Sequence, residues 1–90
     1  MSRLSSIQLL DLLLEGERAS LDRNMVAVKR AEAALWQEYR ESSSQEQHRL
    51  PILDILEYLD LLQAKDCGQS AMTDRELRFY RESLVQDLSN

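Results

Sequence analysis

Residues 7–35, IQLLDLLLEGERASLDRNMVAVKRAEAAL, decide the fold. An apolar residue returns at every seventh position: Ile7, Leu14, Leu21, Val28 and Leu35. On a helix this spacing draws one continuous seam, and such a seam needs other helices to cover it. Ser5 or Ser6 can cap the start, and no proline interrupts the pattern before about Glu41. The spacing predicts a first helix over 6–41, a rod of roughly 50 Å at the usual rise per residue. Gly16 is its weak point, marking either a bend or a place where another helix comes close. A break there would give four helices instead of three.

Beyond Glu41, the run Glu41-Ser-Ser-Ser-Gln-Glu-Gln47 is polar and reads as a loop. The ring of Pro51 disfavours helical geometry at Leu50, so a second helix is expected over 51–66, with Ile52, Ile55, Leu56, Leu59 and Leu62 as its buried stripe. Gly68 stands where a left-handed residue would close it. A third helix is expected over 74–88. Thr73-Asp74-Arg75-Glu76 forms a capping box, Met72 and Leu77 can staple across it, and Leu77, Tyr80, Leu84 and Leu88 share a face. The 90 residues make one domain of all-α class, a small helical bundle with one long and two shorter helices. Two glycines and one proline are too few turn-makers for a β-rich fold.

The net charge of −5 is uneven: residues 50–90 hold eight acids and four bases, while 17–49 balance at six of each. An acidic chain lacks the basic surface that non-specific nucleic-acid binding rests on, so no nucleic-acid partner is expected. Acids interrupt every apolar run before it could cross a membrane, and no secretory signal is visible. Cys67 is the single cysteine, which excludes an internal disulfide and fits a reducing, cytoplasmic setting.

Little in the chain points to chemistry. His48 stands alone in a loop, and one His with one Cys supplies neither a metal site nor a catalytic triad. No cofactor fingerprint is present. Cys67 follows Asp66 near a helix end, where both the acid and the helix dipole disfavour a thiolate. Arg18, Lys29 and Arg40, spaced by eleven, would align along one side of a continuous first helix, as a basic track or a solvated flank. Asp54, Glu57 and Asp60 make an acidic stripe on the second helix.

A long first helix followed by two shorter ones is similar to the helical chorismate mutases. Arg18 and Lys29 have a spacing similar to two substrate-binding basic residues of that family's first helix. Where that family carries an Arg- and Glu-rich opening to its second helix, this chain has Leu50-Pro51-Ile52-Leu53-Asp54-Ile55. No catalytic residue is therefore carried over, and the resemblance implies only a minor alternative.

The apolar surface is wider than one core requires. Leu9, Leu12 and Leu13 add to the seam until more than half the circumference of the first turns is apolar, and Leu53 and Leu61 fall outside the second helix's stripe. Trp36, Tyr39 and Phe79 are aromatic candidates for a partner surface. The expectation is a protein-binding module without enzymatic activity, acting as adaptor, small chaperone or regulatory inhibitor through apolar helix faces. Its binding residues would be Leu9, Leu12, Leu13, Trp36, Tyr39, Leu53, Leu61 and Phe79, and its partner another protein or a second copy in a homodimer. A dimeric transcription regulator is a further alternative.

Overall fold

The heptad seam does not run through a single rod. In the computed structural model, which describes residues 5–68 and 72–89, the chain leaves helical geometry after Leu21 and re-enters it at Met25. Helix α1 spans Ser6–Leu21 and α2 spans Met25–Glu41. The turn between them is a Schellman motif. The Asn24 amide donates to the Ala19 carbonyl at 2.8 Å and the Arg23 amide to the Ser20 carbonyl at 3.1 Å. Arg23 takes the left-handed conformation, φ 57°, that this motif demands. Asn24 then caps the next helix, its side-chain oxygen accepting from the Ala27 amide at 3.2 Å. The three-residue turn folds α2 back along α1, and the longest extent of the molecule is 39 Å, well short of the expected rod.

Gly16 is therefore no bend. It lies inside α1, buried, and a side chain there would come within 2.9 Å of a Leu59 methyl. It marks the close approach of another helix. The polar run expected to be a loop contains a short helix, α3, over Ser44–Arg49, capped by Ser43. Helix α4 covers Ile52–Asp66, with Pro51 at its N-cap and extended backbone at Leu50 (φ −93°, ψ 134°). Gly68 follows at φ 72°, the left-handed position foreseen for it. Helix α5 covers Asp74–Ser89. The described residues thus form five helices and no strand, where three helices were expected.

Local chemistry explains the ends. Ser5 and Gln8 form a reciprocal capping box at the start of α1. At α5 the Thr73 hydroxyl accepts from the Glu76 amide at 3.2 Å, and the Glu76 carboxylate accepts from the Thr73 amide at 3.1 Å. The side chains of Lys65 and Asp74 form an ion pair between α4 and α5.

Helix α1 packs against α2, α4 and α5. Its buried face is Leu9, Leu13, Gly16, Ala19 and Ser20, closed by Leu35 from α2, Ile52, Ile55 and Leu59 from α4, and Leu77, Leu84 and Leu88 from α5. Each such side chain contributes about 1.5–3 kcal/mol when fully buried. The heptad seam divides at the turn. Val28 and Leu35 are fully buried, whereas Ile7 and Leu21 are exposed and Leu14 is at the margin. At about 100° per residue, the line through Ile7, Leu14 and Leu21 is centred roughly 130° around α1 from Leu9, Leu13 and Gly16, which leaves Leu14 at the edge of the packed face.

Candidate functional site

Helix α5 is held to the bundle by a polar cluster joining three helices. Glu17 of α1 accepts a 2.5 Å hydrogen bond from the Tyr58 hydroxyl of α4 and a 2.6 Å hydrogen bond from Arg81 Nε of α5. Burial, reinforced by the Glu17 carboxylate that accepts its proton, pushes the Tyr58 phenol above its usual range. The same carboxylate raises the Arg81 guanidinium. Tyr58 stacks on Tyr80 with ring centroids 6.1 Å apart and planes 12° from parallel. The Tyr80 hydroxyl faces the Asp54 carbonyl and the Glu57 carboxylate, at 3.4 Å each. Burial, then the Asp54 and Glu57 charges, push Tyr80 up to about 12.

Tyr80, stacked on this cluster through Tyr58, lines two open hollows beside α5. One, of about 390 Å³, is lined by Met72, Arg75, Glu76, Phe79 and Tyr80. The other, of about 290 Å³, is lined by Asp54, Phe79, Tyr80, Ser83, Leu84 and Asp87. Phe79 belongs to both and is 76% exposed. It stands about 200° around the helix from Leu77, so the packing that buries Leu77, Leu84 and Leu88 turns Phe79 outward. Asp54 and Asp87 give the second hollow two carboxylates and no base. The arrangement is an exposed aromatic ring between two hollows that share Tyr80, one flanked by Arg75 and Glu76 and the other by Asp54 and Asp87.

The expected binding residues divide by position. Phe79 is at the centre of this surface. Leu9 and Leu13 are 0% exposed, so the chain's own core covers them. Leu12, Tyr39 and Leu61 are partly buried and pack against that core. Trp36 and Leu53 remain half-open, and Trp36 meets Tyr39 edge-on with centroids 6.0 Å apart. The structure does not gather the expected residues into one surface. Sequence reasoning missed the outward position of Ile7, Leu14 and Leu21, and it missed the Glu17–Tyr58–Arg81 cluster.

The basic track is also divided. Arg18 lies on α1, bonded to Asp22 at 3.3 Å, while Lys29 and Arg40 lie on α2. Lys29 pairs with Glu32 at 3.4 Å. The chorismate-mutase resemblance rested on Arg18 and Lys29 sharing one helix, and they do not. Burial, together with the neighbouring Asp60 carboxyl, holds the Glu32 carboxyl above its usual range against the opposing charge of Lys29. Cys67 is exposed at the end of α4, and the side chain of His48 lies outside the described residues. Among the described residues no three of His, Cys, Asp and Glu gather as a metal would require, and no helix is long and apolar enough to cross a membrane. Comparison with family models, curated proteins and solved structures gave no match to this chain.

Proposed function

We propose that this chain is a protein-binding module that seats a basic amphipathic helix of its partner on the α4–α5 face around Phe79. The observation that carries the reading is Phe79 itself, 76% exposed between two hollows that share Tyr80, the ring stacked on Tyr58. A lone exposed phenylalanine needs no explanation, but one set between two hollows has the form of an interface anchor. Apolar side chains at helical spacing on the partner would fill the hollows to either side of the ring. Asp54 and Asp87 at the rim, within a half-chain of eight acids and four bases, favour lysines and arginines flanking those anchors. Such a module serves as an adaptor, as a small chaperone that covers an aggregation-prone helix, or as an inhibitor that occupies a regulator's helix.

The test uses two designed helical peptides with the same leucine face, one bearing lysines and the other glutamates on its polar side. Titrated into isotopically labelled protein, the basic peptide is expected to shift the amides of Phe79, Tyr80, Ser83 and Asp87, and the acidic peptide to bind at least about tenfold more weakly. Phe79→Ala should lose about 2 kcal/mol of affinity while retaining the native spectrum. Equal binding of both peptides, or shifts confined to another face, overturns the proposal.

A further inference from the structure

Beyond the Phe79 face, α1 presents a second surface whose pattern is complementary to itself. Its outward side reads Ile7, Asp11, Leu14, Arg18, Leu21. Ile7 and Leu21 are each 70% exposed and Leu14 is 39% exposed, while Asp11 and Arg18 lie exposed between them. Val26, also 70% exposed, extends the apolar strip beyond the turn. The pattern is symmetric about Leu14. Turned end for end, it sets apolar on apolar and acid on base.

We infer that two copies of this chain pair antiparallel through α1, on a two-fold axis at Leu14. In that arrangement Leu14 meets Leu14 of the second copy and Ile7 meets Leu21. Asp11 falls opposite Arg18, offset by only about 1.5 Å, the rise of one residue. The contact is isologous and closes on itself, so it ends at a dimer. Parallel pairing would set Asp11 against Asp11 and Arg18 against Arg18, and like charges in register oppose it. The charges therefore select both the occupant and its direction. Within one copy Arg18 is bonded to Asp22, but both side chains are largely exposed, at 80% and 59%. An exposed pair of that kind contributes about 0–1 kcal/mol, so Arg18 can exchange it for Asp11 of the second copy. One helix face buries less than a standard interface, and the dimer is accordingly weak and concentration-dependent.

Sedimentation equilibrium of the full chain, from micromolar to millimolar concentration, tests this. A reversible monomer–dimer equilibrium is expected. Leu14→Asp should abolish it with helicity retained, because Leu14 lies at the margin of the core and not within it. Asp11→Arg alone and Arg18→Asp alone should each weaken the dimer by about tenfold or more, and the double exchange should restore it. In a Cys67→Ser background, Leu14→Cys should oxidise to a symmetric disulfide-linked dimer. A monomer at every concentration overturns the inference, as does a dimer indifferent to Leu14→Asp or single reversals that the double exchange fails to rescue. Phe79→Ala should leave the equilibrium unchanged, which separates failure here from failure at the α5 surface.

Discussion

Arg81 Nε lies 2.6 Å from Glu17 Oε2, joining the last helix to the first across 64 residues of chain. The Glu17 side chain is 16% exposed and that of Arg81 is 36% exposed, so the pair is unequal. Removing the carboxylate leaves the buried Tyr58 hydroxyl without its acceptor and Arg81 without its counter-ion. Removing Arg81 leaves a carboxylate that still accepts from Tyr58 and can be reached by water. Glu17→Ala is therefore expected to cost about 2–3 kcal/mol and Arg81→Ala about 1 kcal/mol, the latter reduced by solvent screening. Urea denaturation of both single variants and the double variant checks this. A coupling energy near zero would show that the two contributions are independent.

The two stacked tyrosines give the fold a limit in alkali. Tyr80 titrates at about 12 and Tyr58 higher still, against 10 for a tyrosine in the unfolded chain. Between those values the unfolded state has lost protons that the folded state keeps, so stability falls as pH rises. The stabilisation is complete below pH 10 and begins to fail above it, with the Tyr80 share gone past about 12. Chemical denaturation at a series of alkaline pH values should show this decline. Phenolate absorbance should appear late for both rings, and the Tyr58→Phe/Tyr80→Phe double variant should flatten the slope.

Gly16 and Leu59 set the distance between α1 and α4. An alanine at 16 gains about 1 kcal/mol of helix propensity but presses on a Leu59 side chain that is fully buried. The two effects nearly cancel, and Gly16→Ala is expected to fall within about 1 kcal/mol of the parent. Gly16→Val adds a branched side chain to the same gap and should cost about 2–3 kcal/mol. In a Leu59→Ala background, already weakened by about 2–5 kcal/mol, Gly16→Ala should become clearly stabilising. Thermal denaturation of the four variants reads the sign directly.

What could be read in the sequence was what is decided locally. The serines at 5 and 6, Thr73 with Glu76, Pro51 and Gly68 each announce a helix end within a few residues, and the structure uses Ser5, Thr73, Pro51 and Gly68 there. Phe79 could be singled out because its offset from Leu77 is fixed by the helix period. What depends on packing between distant residues was not legible. The first turns of α1 are apolar on almost every side, so periodicity alone cannot tell whether Leu9 and Leu13 or Ile7 and Leu14 face inward. Packing against α2, α4 and α5 chose the former. The Glu17–Tyr58–Arg81 cluster assembles residues separated by 41 and 64 positions, and no local pattern marks it.

The turn at Asp22–Asn24 escaped notice because its left-handed position holds an arginine where a glycine would have signalled the break. The sign of one substitution separates the two geometries. In a continuous helix Arg23→Gly would cost about 1 kcal/mol, since glycine is the weaker helix former. At φ 57° the same change relieves a strained backbone, and after the greater entropy of the unfolded chain is deducted it should stabilise by about 0.5 kcal/mol. Arg23→Val should destabilise, because a branched side chain suits the left-handed region least. Asn24→Ala should cost about 1 kcal/mol through loss of the Ala27 cap. In a domain of this size each kcal/mol moves the melting temperature by about 4–8 °C. A lower Tm for Arg23→Gly would place α1 and α2 on one axis, restoring the rod that the heptad spacing suggests.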